Sequence, residues 1–404
     1  MKRTLLTMGL TVFLVGAVST PGLSPAFFHA PAFSLPSPLQ AEKEQSLAIT
    51  HGPYLQLPTT TSMTIVWHTN KICVSRVEYG EERGLGLTAI NSHHGLIDNN
   101  RTSHIIRLTS LTPGKNYFYR VISREFLSYK TQDSVVFGST VTSPVYSFKT
   151  LDEKKRSFSF CMVSDMHERS AELDEMLAEK AWEGIDFAVY NGDMVNNLMS
   201  PSQLFAGVLD ASVKHFAKEK PLIYVRGNHE MRGSFARNLP DFIPVQECRT
   251  YSSFNHGPVH FIILDCGEDK PDSDESFHGL VDFDRFRTEE ARWLQKDLES
   301  PACVRAGYKI AVCHIPTWAE YDHGSREVRR KFESLLNKAK IDLYLTGHTH
   351  TFSQINPIPG QNTFPIIIGA QDITTRVDVF PDELRVTAVR RGGTVVGRSV
   401  MKRK

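Results

Sequence analysis

The chain has 404 residues, 41% of them apolar, enough for two or three domains with real cores. Its 46 Lys and Arg stand against 45 Asp and Glu, so no net field argues for a nucleic-acid partner or an anionic membrane surface. Six cysteines at irregular spacing form no disulfide framework.

The amino terminus reads as a secretory signal. Lys2-Arg3 supply a positive region and Leu5 to Val18 a short apolar segment, with small residues around Ala26, Ala30 and Ala41 as cleavage points. The apolar run is shorter than the roughly 20 residues a spanning helix needs. Residues 1–30 are therefore assigned to a signal peptide, and the mature protein is expected to be secreted or periplasmic, with no stable membrane span. Residues 31–46, rich in Pro, Ser and Ala before Glu42-Lys43-Glu44, make a linker.

Residues 47–150 turn β-like. Ser62 to His68 alternates Met63, Ile65 and Trp67 on one face. Ser75–Gly80 and His104–Leu108 read as further strands with turns between them. Leu111-Thr112-Pro113-Gly114 followed by Tyr117-Phe118-Tyr119-Arg120-Val121 resembles the corner and strand of fibronectin type III domains, with Tyr117 as the corner tyrosine. Trp67 and Tyr117 are expected in the core.

After the charged junction Asp152 to Arg156, residues 155–404 alternate strands and helices. Ser170 is expected to cap a helix holding Leu173, Met176, Leu177 and Trp182, stopped by Gly184. Pro201–Lys220 and Thr288–Leu298 read as further helices, and the chain closes through a hairpin over Pro381-Asp382-Glu383. Cys161 and Cys313 fall in core strands. Cys248 and Cys266 flank a hairpin at His256-Gly257-Pro258; free thiols are the expectation there, with a disulfide as the alternative. His256, His278 and His323 read as solvated loop residues.

Five apolar runs in this region each deliver polar ligands at one end. Phe158–Val163 leads to Asp165 and His167, Phe187–Tyr190 to Asn191-Gly192-Asp193, and Leu222–Val225 to Gly227-Asn228-His229-Glu230. Lys309–Cys313 leads to His314, and Leu343–Leu345 to Gly347-His348-Thr349-His350. Asp165/His167 and His348/His350 share a face at a spacing of two. Oxygen and imidazole donors suit divalent Mn, Fe or Zn. A carboxylate bridging two ions about 3.5–4 Å apart would clamp a phosphoryl group and make a hydroxide nucleophile.

In this order the motifs Asp-x-His, Gly-Asp, Gly-Asn-His-Glu, a lone His before Pro316 and Gly-His-x-His resemble the calcineurin-like metallophosphoesterases. The front domain resembles the amino-terminal domain of purple acid phosphatases. The resemblance implies a fibronectin III-like sandwich ahead of an α/β domain of two packed mixed sheets flanked by helices. It implies one metal on Asp165, His167, Asp193 and His350, and a second on Asp193, Asn228, His314 and His348. Asn228 and His229 would contact the substrate, His229 would also help the leaving group, and Glu230 would orient the loop or the imidazole. The purple subgroup has Asp-x-Gly where this chain has Asp165-Met166-His167, and a metal-binding Tyr where it has Asn196. An iron-phenolate colour is therefore not expected.

The function expected is an exported phosphomonoesterase acting on a small phosphorylated substrate with two divalent ions. A phosphodiesterase is the alternative, and a surface-binding protein using the sandwich for adhesion is the alternative of another class. Substrate specificity is expected in the loops Asn196–Gln203, Cys266–Asp284 and Trp318–Arg326.

Overall fold

The alternation of Met63, Ile65 and Trp67 sets the inner face of the first domain, where all three are fully buried with Leu108, Tyr119, Val121 and Phe148. The computed structural model describes residues 45–131, 133–317 and 322–403. The proposed signal peptide, the linker up to residue 44 and the start of the Trp318–Arg326 loop lie outside the described residues. Tyr117 behaves as a corner residue: its hydroxyl accepts a hydrogen bond from Thr112 N at 2.9 Å.

One expectation fails here. Ser62–His68 and Ser75–Gly80 are not separate strands but parts of one 18-residue strand, Met63–Gly80. Its first part pairs with Ile49–Gln56 and Arg101–Leu108, its second with Leu87–Ile90 and Asn116–Tyr129. The register shifts between His68 and Cys73, so the polar Thr69-Asn70-Lys71 marks a change of partners rather than a turn.

The other face of this strand is covered as well. Tyr54 and Val66 belong to the same apolar cluster as Leu173, Leu204, Val208 and Ile243 of the following domain. Tyr54 donates its hydroxyl hydrogen to Phe242 O at 2.7 Å and Tyr119 to Lys218 O at 2.7 Å. Residues Leu47–Lys404 accordingly form one compact unit.

The second domain holds two six-stranded mixed sheets. Phe160, Phe187 and Val225 of one sheet and Phe261, Val312 and Leu345 of the other share a single apolar layer. Helices cover the outer faces: Leu173 and Leu204 on one side, Leu294, Phe332 and Leu336 on the other. In the first sheet Phe158–Val163, Phe187–Asn191 and Leu222–Val225 run parallel. In the second, Tyr308–Val312 and Leu343–Thr346 do the same. Parallel strands present their carboxyl ends at one edge, which is where α/β folds hold ligands.

Several details differ from the sequence expectation. Arg169, not Ser170, occupies the cap position of the helix Ser170–Leu177, and Trp182 falls in a separate 3-10 turn, Lys180–Trp182. The segment from Pro201 is a short helix whose centre, Phe205–Leu209, widens to π geometry before Asp210–His215. The helix expected over Thr288–Leu298 starts earlier, at Phe283. His256 is not a solvated loop residue. It ends the strand Ser252–His256 and is buried, its Nδ1 accepting from Asp152 N at 3.1 Å and its Nε2 lying 2.6 Å from Asp186 Oδ2. Cys248 and Cys266 are free thiols, the first exposed and the second buried. Among the described residues no helix is long and apolar enough to cross a membrane.

Candidate metal centre

At the strand ends the backbone turns sharply, and the ligand-type residues themselves make the turns. Asp165, His167, Asp193, His348 and His350 have φ of 58°, 46°, 52°, 71° and 56°. Side chains crowd the backbone in this left-handed region, at about 1–3 kcal/mol each where it is enforced. Hydrogen bonds between the turns enforce it: Asp165 N donates to Gly192 O at 3.0 Å, His167 N to Asp193 O at 3.0 Å, and Gly347 N to His314 O at 2.9 Å.

Two clusters result. Asp165, His167, Asp193 and His350 each offer a donor atom within 4.8 Å of the others, and so do Asp193, His314 and His348. Asp193 belongs to both. Asn228 joins the second group, its Oδ1 lying 3.1 Å from His348 Nδ1. All seven residues named from the sequence as ligands therefore lie together.

The donor chemistry fits cations. His314 is fully buried and its Nδ1 lies 2.7 Å from Asn191 O, with Nε2 3.1 Å from Asp193 Oδ2 in no well-directed hydrogen bond. Burial opposes charge on this ring, yet the carboxylates of Asp193 and Asp165 outweigh it and push its pKa up to about 10. The spot thus stabilises positive charge, and a metal ion would supply it in place of a proton. His167 goes the other way. Burial, with His229 and His350 nearby, lowers it to about 4, so the ring is neutral and its nitrogen lone pair is available. His167 Nε2 and His350 Nε2 face each other at 3.1 Å.

Glu230 does not reach the imidazole of His229. It is fully buried; Oε2 accepts from Asp193 N at 2.9 Å and Gly227 N at 2.8 Å, and Oε1 from Met194 N at 2.8 Å and Tyr224 OH at 2.9 Å. These bonds tie the Asp193 turn to the Gly227-Asn228 turn. Burial and the neighbouring Asp193 charge raise its pKa. Gly227 makes this approach feasible, because a Cβ there would lie 2.5 Å from Asp193 N and 2.9 Å from His314 Cδ2. His229 is partly exposed beside the clusters. Its N donates to Asp193 Oδ1 at 3.0 Å, its Nδ1 lies 2.6 Å from Asn196 O, and its Nε2 is 3.9 Å from Asp193 Oδ2.

Sequence reading missed the groups that aim these ligands. Asp322 Oδ2 lies 3.0 Å from His348 Nε2, leaving Nδ1 toward the cluster. Asp269 Oδ2 accepts from Asn228 Nδ2 at 3.2 Å, which turns the amide oxygen inward. Gln371 Nε2 lies 2.9 Å from His350 Nδ1. Such partners set ring orientation and ligand basicity at metal sites. Asp322 also caps the helix His323–Val328, and capping was its only signal in the sequence.

Parallel strands that deliver Asp, Asn and His to one edge of two packed sheets are the frame of a metal-dependent phosphoester hydrolase. Residues 158–352 match the family model of the calcineurin-like phosphoesterases, and residues 51–150 that of the purple acid phosphatase N-terminal domain. The chain thus carries a calcineurin-like phosphoesterase domain with a purple acid phosphatase N-terminal domain in front of it. It is similar to purple acid phosphatase 21 of Arabidopsis thaliana, 22% identical over 344 residues that cover 77% of this chain and 68% of the relative. The fold is shared with purple acid phosphatase PPD1 of yellow lupin seeds, at TM-score 0.66 and 14% identity, over 87% of this chain and 74% of that one. It is also shared with PhoD, at TM-score 0.58 and 13% identity, over 86% and 88% of the two chains.

Proposed function

We propose that the protein is an exported phosphomonoesterase with two divalent ions. One is held by Asp165, His167, Asp193 and His350, the other by Asp193, Asn228, His314 and His348. The observation that carries this reading is the single buried carboxylate, Asp193, common to two donor clusters. When bound, such a metal pair supplies a hydroxide nucleophile near neutral pH and draws charge from the phosphoryl oxygens. The nitrogen and oxygen donors suit Mn, Fe or Zn.

The chain's own residues do the rest. Asp322, Asp269 and Gln371 orient His348, Asn228 and His350, and Glu230 keeps the shared carboxylate in place. His229 stands at the exposed side of the centre with Nδ1 held by Asn196 O, so Nε2 is the atom that faces the substrate; it accepts from Arg232 Nη1 in the resting arrangement and passes a proton to the leaving oxygen once the ring has gained one. Asn228 contacts the substrate alongside it. Export rests on Lys2-Arg3 and the apolar Leu5–Val18. A small phosphorylated compound is the substrate, and the sandwich supports the catalytic domain rather than serving as an adhesion module.

The test is a screen of mono- and diesters on metal-reconstituted protein, with a reporter fused to residues 1–46 to follow export. Monoester turnover above diester turnover is expected; preference for diesters, or no turnover with two metals bound, would contradict the proposal. Colour adds a second check. Asn196 donates its amide to His167 O at 3.2 Å, Tyr190 bonds Ser212 Oγ at 2.7 Å, and Tyr224 donates to Glu230, so none of these is a phenolate ligand. Protein loaded with iron under air is expected to lack a phenolate-to-iron band. An intense band that disappears on a Tyr→Phe change would overturn that assignment.

A further inference from the structure

Arg232 lies three residues past His229 and has no assigned role. Its side chain is 24% exposed, and three of its N–H contacts are spent on carboxylates: Nε to Glu268 Oε1 at 2.5 Å, Nη2 to Glu268 Oε2 at 3.0 Å and Nη2 to Asp269 Oδ1 at 2.9 Å. Glu268 is fully buried, so the guanidinium is pinned along that edge. Asp269 uses its other oxygen to hold Asn228 Nδ2 at 3.2 Å. One carboxylate thus registers Arg232 against a proposed metal ligand.

The free end, Nη1, points to His229, donating to Nε2 at 3.0 Å. Arginine only donates, so His229 Nε2 accepts there, and His229 Nδ1 carries the proton donated to Asn196 O. A neutral ring nitrogen is a weak partner for a guanidinium. A phosphate oxygen is anionic and matches its planar donors far better. Only one imidazole separates Nη1 from the carboxylate that both clusters share.

We infer that Arg232 is a specificity-determining residue whose Nη1 binds a non-bridging oxygen of the substrate's terminal phosphate, favouring dianionic monoesters over diesters. This rests on the proposed phosphoester-hydrolysing centre. A monoester offers one more charged oxygen than a diester, and Arg232 is a cation outside the metal clusters held in place to meet it. Glu268 and Asp269 fix the direction of the guanidinium and leave Nη1 for the ligand.

Two variants test it: Arg232→Lys, which keeps the charge and loses the fork, and the pair Arg232→Gln with Glu268→Gln, which avoids stranding a buried carboxylate. The readouts are metal content, binding of inorganic phosphate by calorimetry to metal-loaded protein, and KM and kcat for phenyl phosphate and bis(p-nitrophenyl) phosphate. Expected are two metals per chain, phosphate affinity weaker by about 10–100-fold, a parallel rise in monoester KM, and diester KM within about twofold. Unchanged phosphate affinity, equal losses on both esters, or loss of metal in both variants would overturn the inference. If wild-type protein hydrolyses neither ester, the proposed function fails, while phosphate binding still decides the role of Arg232.

Discussion

The sandwich and the metal edge both contain left-handed, non-glycine residues, but they place them differently. In the sandwich Leu57, Leu85 and Ser110 take that conformation in turns between strands. At the metal edge the strained residues are Asp165, His167, Asp193, His348 and His350 themselves. In the sandwich this strain falls in connecting turns; at the metal edge it falls on residues that would bind ions, while the second domain also carries it at Glu168, Glu247, Cys248, His278 and Lys340. Substitutions at the edge should therefore change metal binding and turnover, and substitutions around the sandwich should change stability.

The largest expected effect is at the edge. Gly227→Ala would drive a methyl group into Asp193 and His314. Metal affinity should fall by more than the roughly 10–100-fold typical of losing a ligand's supporting partner, with turnover lost too. Metal titration checks this, and wild-type affinity would mean that the two turns are not packed as tightly as the account requires. His229→Ala should keep both metals and lose turnover by about 10²–10⁴-fold, the usual worth of general acid help. The loss should be greatest for esters with poor leaving groups; an equal loss across a leaving-group series would leave His229 only a phosphate contact.

The smallest effect sharpens the other side. His68 lies under the catalytic domain, stacked on Phe242 with ring centroids 5.0 Å apart and its Nε2 3.1 Å from the Tyr54 hydroxyl. Burial first, then His51 and His104, lowers its pKa to about 3. Its unfolded value is near 6.5, so between these two values the unfolded chain binds more protons. The stability contribution is complete above about pH 6.5 and falls as pH drops toward 3, by a few kcal/mol at most on the order of this linkage. His68→Phe should flatten the dependence of unfolding free energy on pH in that window without altering metal content. An unchanged slope would remove His68 from the acid response.

The contrast also explains what the sequence could reveal. The ligands were legible because each follows an apolar run directly, as Asp193 follows Phe187–Asn191 and His314 follows Tyr308–Val312. Their helpers were not, because tertiary packing alone joins them: Asp322 to His348 and Asp269 to both Asn228 and Arg232. For Glu230 the sequence left two roles open, orienting the loop or the imidazole, because its hold on the Asp193 turn depends on a contact 37 residues away. The long strand Met63–Gly80 was misread because Thr69-Asn70-Lys71 has turn composition, yet exchanges strand partners without turning. His256 was misread because its partner Asp186 is 70 residues distant and makes burial tolerable.

The central claim is that one carboxylate joins two cation sites, and the most direct measurement is the metal content of Asp193→Asn. The account predicts that both ions weaken together and that activity disappears, since each cluster loses the same anionic ligand. Two tightly held metals in that variant, measured by elemental analysis after gel filtration, would contradict it.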